Sequence, residues 1–242
     1  MFERVAVVGA GAIGSIIGGY LSRAGHDITL IDPWAAHVDA IKKKGLHIIA
    51  EDEEFTISVN AMHLGEVSSS STPFDVAFLS VKSYDTVWAT HLILPYLNPT
   101  GFIVSSQNAI NDDIIGPIAG FNRVIGCVIT LGAGMYEPGH AIRTSSSTGL
   151  AFKLGELNGM ATKRLQHLAD MLSVIGPTQI TTNLWGERWA KLATNSMANP
   201  VAALTGLGSA ALRRTPGVVQ VSIKICEEVV RVGSALGVEI EP

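Results

Sequence analysis

The sequence predicts an α/β fold in which a doubly wound sheet is followed by an all-helical segment. At the N-terminus, the β-branched run 4–8 leads directly into a glycine-rich turn and a helical pattern. Short apolar runs and helical patterns then alternate as far as Thr182, which is typical of sheets built from strand–helix–strand units. From Leu184 onward the apolar spacing is helical throughout. We therefore predict two domains, residues 1–182 and residues 183–242.

Composition is that of a globular protein and argues against several kinds of partner. Of the 242 residues, 47% are hydrophobic and 16% are charged, which is enough apolar material for a buried core. A net charge of −4 without any Lys/Arg block argues against nucleic acid as a partner. No apolar run reaches the roughly 18 residues of a membrane span. Cys127 and Cys226 stand far apart, which is typical of reduced thiols, so we expect a cytoplasmic protein.

The first turn carries a dinucleotide-binding motif. Residues 9–14 read Gly-Ala-Gly-Ala-Ile-Gly and lie between a predicted strand and a predicted helix. Gly9 permits the tight turn, Gly11 lets a pyrophosphate approach the backbone, and Gly14 lets the helix pack closely on the sheet. The N-terminus of that helix presents free N–H groups and a partial positive charge to phosphates. This context predicts a Rossmann-type domain with cofactor contacts at Gly9, Gly11, Ala12, Ile13 and Gly14.

The second strand, 28–31, ends at an acidic residue that bears on the choice of cofactor. Asp32 lies 32 − 14 = 18 residues after the last motif glycine, and an acid at roughly 20 residues accepts hydrogen bonds from the adenosine ribose. A carboxylate there repels the 2′-phosphate of NADP, and no Lys or Arg follows before Lys42. NAD(H) is therefore favoured, and NADP(H) stays possible. Trp34 either lies along the adenine or packs on the sheet edge.

The remaining strands and helices of the first domain are predicted from short apolar runs. We predict a hairpin from 46–49 and 55–59, strands at 75–81, 102–106, 124–129 and 179–181, and a helix at 161–175. Two further strands, near 141–142 and 150–154, are predicted to be antiparallel. The hairpin turn 51–54 is acidic, which we interpret as a solvated turn, so no metal site is predicted.

Polar residues follow two of these predicted strands. Strand 75–81 leads into Lys82, and strand 102–106 leads into Gln107 and Asn108. Open α/β sheets bind ligands at the carboxyl ends of their strands. These positions are therefore candidate ligand contacts.

The second domain carries an unusual polar stripe. We predict helices at 184–198, 200–204 and 216–236. Lys191, Asn195 and Asn199 step by four residues along the first two of these segments, which places them on one face. Asn is a poor residue for a helix interior. The spacing by itself leaves both a functional lining and a solvated face open.

Taken together, these residues resemble the ketopantoate reductase family. Four motifs occur in the same order as in that family. They are the glycine turn, Lys82 in Val-Lys-Ser-Tyr-Asp-Thr, Gln107-Asn108, and Trp189-x-Lys191 followed by Asn195 and Asn199-Pro200. The resemblance extends to about Leu204, or most of the chain. It implies a Rossmann domain followed by an all-helical domain, with substrate and nicotinamide between them, and a possible homodimer.

The resemblance also implies a role for each of these side chains. Lys191 would be the general acid that protonates a substrate carbonyl oxygen while hydride arrives from the nicotinamide. Asn195 and Asn199 would hydrogen-bond the substrate. Asn108 would hold the carbonyl or the nicotinamide end, and Lys82 would contact the cofactor near the nicotinamide.

The resemblance implies reduction of a small 2-oxo acid. The expected substrate is 2-dehydropantoate, whose reduction yields pantoate. Asp32 makes an NAD-dependent D-2-hydroxy-acid dehydrogenase of the same family an alternative, because better known members prefer NADPH and have a basic residue there. A non-catalytic NAD-binding module is a third reading. It is motivated by the lack of a match to the later helical segment that supplies a Ser and a Glu in the family, so the helical domain is expected to be incomplete. The family also has Gly where this chain has Ala109.

Overall fold

The computed structural model describes residues 4–242, which divide into two compact units. The first unit extends to Gln107 and resumes with Asn111–Thr182. The second consists of Asn183–Pro242 together with the short segment Asn108–Ile110.

The strands all lie in the first unit. Within the described residues they are β1 (Arg4–Val8), β2 (Asp27–Asp32), β3 (Leu46–Ile49), β4 (Glu54–Ile57), β5 (Asn60–His63), β6 (Phe74–Leu79), β7 (Leu97–Ser105), β8 (Val124–Ile129), β9 (Ala133–Glu137), β10 (His140–Arg143), β11 (Phe152–Glu156) and β12 (Thr178–Ile180).

The α-helices are divided between the units. Over the same residues they are α1 (Ala12–Arg23), α2 (Ala35–Lys44), α3 (Thr86–Ile93), α4 (Asp112–Ala119) and α5 (Lys163–Leu172) in the first unit, and α6 (Leu184–Thr205), α7 (Ser209–Leu212) and α8 (Pro216–Ala235) in the second. None of these described helices has the length and apolar character needed to span a bilayer.

The main sheet confirms the predicted doubly wound α/β class. Its strand order within residues 4–242 is β12-β11-β8-β7-β6-β1-β2-β5. Neighbouring strands are parallel except for β11, which runs antiparallel to β8. The chain winds outward from β1 to β2 on one side and continues from β6 on the other, so the order reverses between β1 and β6. Ligands of open α/β sheets bind at such a reversal.

The two faces of this sheet are buried by different helices. Successive side chains of a strand point to opposite faces, and in β1 Val5 and Val7 join a core cluster that includes residues of α1 and α5. Ala6 and Val8 join a second cluster with residues of α3 and α4. All four side chains are 0% exposed, which explains why β1 reads as a continuous apolar run rather than an alternating one.

A smaller sheet, ordered β4-β3-β10-β9 within the described residues, lies in the same unit. The predicted hairpin is confirmed, since β3 and β4 pair antiparallel. The strand expected near 141–142 is β10, which pairs antiparallel with β9 as predicted and also parallel with β3. The strand expected near 150–154 is β11, antiparallel to β8.

The second unit corrects one helix prediction. Separate helices were expected at 184–198 and 200–204, whereas α6 runs without a break through Pro200. Proline has no backbone N–H, so the hydrogen bond to the carbonyl four residues earlier, here that of Ser196, is missing. The helix nevertheless continues to Thr205. Helix α8 packs against its N-terminal part, where an added methyl at Gly233 of α8 would lie 2.9 Å from the ring of Trp189.

Candidate functional site

The glycine turn lies at the point where the strand order reverses. Gly9 N–H donates to the carbonyl of Ile31 in β2 at 2.8 Å, and Ser80 N–H donates to the carbonyl of Val8 at 2.8 Å. The turn is therefore tied to the carboxyl ends of both neighbours of β1. This is the predicted position for a ligand in an open α/β sheet.

Each motif glycine has a different surrounding. Gly9 has φ +93°, and a methyl there would lie 2.7 Å from the backbone nitrogen of Val81. A methyl at Gly14 would collide with the carbonyl oxygen of Gly9. At Gly11, by contrast, an added methyl would meet no atom of the described residues within 4 Å apart from local backbone and the two neighbouring residues in the chain, and φ is −66°. Gly9 and Gly14 are thus required by the fold itself, whereas the space at Gly11 is open.

The N-terminal turn of α1 begins at Ala12 and Ile13, beside that open space. The first N–H groups of a helix have no carbonyl partner inside the helix, and the aligned peptide dipoles add a partial positive charge there. The turn therefore has the donors and the charge that a diphosphate requires.

Asp32 lies at the end of β2 with 8% of its surface exposed. Its Oδ2 accepts the N–H of Ala10 at 2.7 Å, and its Oδ1 accepts the N–H of Trp34 at 2.8 Å. Each carboxylate oxygen has a further lone pair that can accept a hydroxyl. The carboxylate thus supports the glycine turn and keeps acceptor capacity for a ribose.

Lys42, the next Lys or Arg along the chain after Asp32, is paired with a carboxylate. Lys42 Nζ donates to both carboxylate oxygens of Glu66 at 2.7 Å. Trp34, which follows Asp32 in the loop, is 41% exposed. The pairing of Lys42 matters for the choice of cofactor because a 2′-phosphate needs a cation.

Lys82 lies on the same edge of the sheet as the glycine turn. It follows β6, the parallel neighbour of β1, and is exposed at the start of the turn Ser83–Asp85. A ligand contact at Lys82 stays a prediction.

In the second unit, the predicted stripe lies on α6. Lys191 and Asn195 are half-buried, whereas Asn199 is exposed. Asn195 Nδ2 donates to Oδ1 of Asn108 at 3.4 Å, which brings together two positions 87 residues apart in the chain. Burial lowers the pKa of the Lys191 ammonium from its ordinary value of 10.5.

Two polar residues near the glycine turn were missed by the sequence analysis. Ser15 of α1 and His37 of α2 are both 0% exposed and lie 3.4 Å apart, Oγ to Nε2. In the sequence, the only indication of this pair was a single histidine in an amphipathic helix. A single histidine is more typical of a structural core residue than of a functional site.

Two carboxylates of the acidic turn 51–54 bind other side chains of the same chain. Glu53 pairs with Arg23 at 2.5 Å, and Asp52 accepts the hydroxyl of Ser147 at 2.5 Å. Across residues 4–242, no three His, Cys, Asp or Glu side chains are grouped so that they could hold a metal ion.

The backbone conformation at position 109 explains why the ketopantoate reductase family has glycine where this chain has Ala109. Ala109 has φ +68°, the left-handed region that glycine adopts without strain. Ala109→Gly is expected to raise the free energy of unfolding by about 0.5–1 kcal/mol, because relief of left-handed strain exceeds the entropy that glycine adds to the unfolded chain. Urea denaturation measures the change.

Ala203→Gly is the matched control for this prediction. Ala203 is an exposed residue of α6, where glycine should instead cost about 1 kcal/mol. A lower stability for Ala109→Gly than for the unmodified chain would contradict the account of this position.

Comparisons with known proteins identify the family of the chain. The family described as Ketopantoate reductase PanE/ApbA matches residues 5–159, and its C-terminal family matches residues 183–242. A 2-dehydropantoate 2-reductase of Pyrococcus horikoshii is 28% identical over 98% of this chain and 76% of its own length. The chain thus spans about three quarters of that relative.

Solved structures show the same fold. A PanE/ApbA family ketopantoate reductase from Ralstonia eutropha superposes with a TM-score of 0.86 at 29% identity, covering 99% of this chain and 76% of its own. A D-mandelate dehydrogenase with NADH superposes with a TM-score of 0.87 at 23% identity, covering 98% and 76%. With the family matches covering the glycine turn, Lys82, Asn108 and the stripe on α6, the chain belongs to the ketopantoate reductase PanE/ApbA family.

Proposed function

We propose that the chain reduces a small 2-oxo acid, with 2-dehydropantoate as the first candidate, using a nicotinamide cofactor. The observation that carries the proposal is the grouping of Lys191, Asn195 and Asn108. Asn195 and Asn108 are hydrogen-bonded, and Lys191 precedes Asn195 by one helical turn. A lysine on the same helical face as this amide pair offers the kinds of donor that a 2-oxo acid needs at its carbonyl and carboxylate oxygens.

The glycine turn fits the adenosine diphosphate part of the cofactor. Gly11 leaves room for a diphosphate to approach the backbone, and the N-terminal turn of α1 supplies donors. Asp32 would accept the ribose hydroxyls, and Lys82 would contact the cofactor further along the same edge. When bound, the nicotinamide supplies the hydride for the reduction.

Lys191 is proposed as the general acid. Its ammonium would hydrogen-bond the carbonyl oxygen in the ground state and transfer a proton as negative charge develops on that oxygen. Burial lowers its pKa, which brings proton transfer closer to the working pH. Asn195, Asn199 and Asn108 would hold the substrate in place.

The direction of the Lys191 pKa shift predicts how the rate of reduction depends on pH. The acid must be protonated to act, so kcat/KM for reduction is expected to fall as pH rises through the lowered pKa of Lys191, below the usual range for an exposed lysine. Stopped-flow or steady-state rates across the alkaline range test this. A rate that stays level up to the ordinary lysine pKa would contradict the assignment.

NADH is expected to be the better cofactor. Asp32 is buried against backbone amides and cannot turn away from a 2′-phosphate, and Lys42 is already paired with Glu66. We expect kcat/KM to favour NADH over NADPH by about tenfold or more, which corresponds to about 1.4 kcal/mol of discrimination. Equal rates with the two cofactors would contradict this reading of Asp32.

A single assay tests the proposed function as a whole. Oxidation of NADH and of NADPH is followed with 2-dehydropantoate, with branched 2-oxo acids and with an aromatic 2-oxo acid, each with the unmodified chain and with Lys191→Ala. Turnover of 2-dehydropantoate that depends on Lys191 is the expected result. Absence of any Lys191-dependent turnover would leave a non-catalytic NAD-binding module and overturn the enzyme proposal.

Asp32 favours one second candidate, an NAD-dependent D-2-hydroxy-acid dehydrogenase of the same family. Faster turnover of the branched or aromatic 2-oxo acids than of 2-dehydropantoate, with D-stereochemistry in the product, would select it. A homodimer is also a prediction, and light scattering of the purified chain tests it.

A further inference from the structure

His37 is a buried histidine whose protonation state is set by its neighbours. It is 0% exposed, and its Nδ1 lies 2.9 Å from the backbone nitrogen of Gly139, in the turn between β9 and β10. The N–H of Gly139 needs an acceptor, so Nδ1 carries no proton. The proton of the neutral ring is therefore on Nε2, where it points to Ser15 Oγ at 3.4 Å.

The hydrogen bonds continue from Ser15 to the glycine turn. With Nε2–H as a donor, Ser15 Oγ accepts from His37 and donates its own hydrogen to the carbonyl of Ala10 at 2.7 Å. The N–H of Ala10 donates to Asp32. Both polar groups of Ala10, which stands between Gly9 and Gly11, are thus held by side chains, and His37 supports one of them.

His37 also supports the loop after Asp32. Its ring stacks on the indole of Trp34 with centroids 5.6 Å apart and planes 16° apart. The N–H of Trp34 donates to the other carboxylate oxygen of Asp32. One buried ring therefore supports both segments whose backbone amides bind Asp32, Trp34 by direct stacking and Ala10 through Ser15.

We propose that His37 is a positioning residue of the cofactor site, whose neutral ring holds Ala10 through Ser15 and Trp34 through stacking, so that its protonation weakens binding of adenosine diphosphate groups. The proposal rests on the proposed function only in placing that diphosphate at the glycine turn. It does not depend on the substrate or on catalysis.

The charges around His37 fix the direction of the effect. Burial lowers its pKa, while the Asp32 carboxylate and the carbonyl of Ala10 act in the opposite direction. Glu137 and His140 flank the Gly139 turn, but they are exposed and pair with each other at 3.5 Å. The neutral form is therefore the native form at neutral pH. As pH falls, a proton on Nδ1 would face the N–H of Gly139, donor against donor, and the contact would open.

The test is a calorimetric titration of the full chain with ADP-ribose, which lacks the nicotinamide, between about pH 8 and about pH 5. The unmodified chain is expected to lose about tenfold or more in affinity as pH falls, which is the loss expected for one buried hydrogen bond left unmade. His37→Gln can still donate to Ser15 but cannot titrate. It should bind within a few-fold of the unmodified chain at the upper pH and keep that affinity at the lower pH.

Two further variants separate a positioning role from a merely structural one. Ser15→Ala removes the link to Ala10 while leaving His37 in place, and should weaken ADP-ribose binding at the upper pH. His91→Gln changes an exposed histidine of α3 and should keep the full pH dependence. Thermal unfolding of each variant establishes that it is folded.

Three results would overturn the inference. They are an ADP-ribose affinity of the unmodified chain that does not change with pH, a pH dependence that persists in His37→Gln, and an unchanged affinity in Ser15→Ala. In these cases the chain still binds ADP-ribose, and the proposed cofactor site stands. If the unmodified chain fails to bind ADP-ribose at the upper pH, the proposed cofactor site fails as well.

Discussion

Lys191→Ala is expected to lower kcat for 2-oxo acid reduction by about 10²–10⁴-fold, the usual contribution of a positioned general acid. Without the ammonium, negative charge developing on the substrate oxygen meets no proton donor at this position. Binding of ADP-ribose should be unchanged, because Lys191 belongs to the helical unit and the glycine turn to the other. The measurement is steady-state reduction of the accepted substrate beside an ADP-ribose titration.

Lys224→Ala is the matched control. Lys224 is an exposed lysine of α8, so its removal changes the net charge by the same amount without touching α6. We expect its kcat to equal that of the unmodified chain. If Lys191→Ala keeps its kcat within a few-fold, or if both lysine variants lose activity alike, Lys191 is not the acid.

Gly11→Ala is the second change with a large expected effect. The added methyl meets open space in the protein, and the φ of −66° suits alanine, so the free energy of unfolding should stay the same or rise slightly. In the complex, the methyl would occupy the approach of the diphosphate to the backbone. We expect ADP-ribose affinity to fall by about 10–100-fold, the equivalent of losing a hydrogen bond to a charged group.

Gly14→Ala distinguishes loss of binding from loss of folding. A methyl there would collide with the carbonyl of Gly9, so this variant should be clearly destabilised in thermal unfolding. A Gly11→Ala variant that is as unstable as Gly14→Ala, or that binds ADP-ribose as tightly as the unmodified chain, would contradict the division of roles between the two glycines.

Most strands of the first unit could be predicted because the signals that indicate them are local. The central parts of β1 and β6, residues 5–8 and 76–79, are buried on both faces and appear as uninterrupted apolar runs. The hairpin β3–β4 shows as two apolar runs around an acidic turn. Each of these signals lies within a few residues of chain.

Two strands were not predicted because their pairing depends on distant partners. β5, Asn60–His63, is only four residues long and half polar, and it pairs along a parallel edge that β2 offers. β9, Ala133–Glu137, contains Gly134 and no β-branched residue, and it depends on pairing with β10. Strand propensity reflects such packing as much as the residues themselves.

The candidate site, like the strands, was predictable where its signals are local and not where they depend on distant contacts. The glycine turn and Asp32 could be identified because their spacing follows from the geometry of a strand, a turn and a helix. The contact between Asn108 and Asn195 spans 87 residues and was not predicted, and only the resemblance assigned both residues to one site. Ser15 and His37 were missed because their hydrogen bonds join three separate segments.

The most direct test of the central claim, that the N-terminal turn of α1 binds a diphosphate, is a crystal structure of the chain with ADP-ribose. The account predicts diphosphate oxygens about 2.7–3.2 Å from backbone nitrogens of the turn between Gly11 and Gly14, with the adenosine ribose hydroxyls on Asp32. Density for ADP-ribose at any other place, with this turn empty, would contradict it.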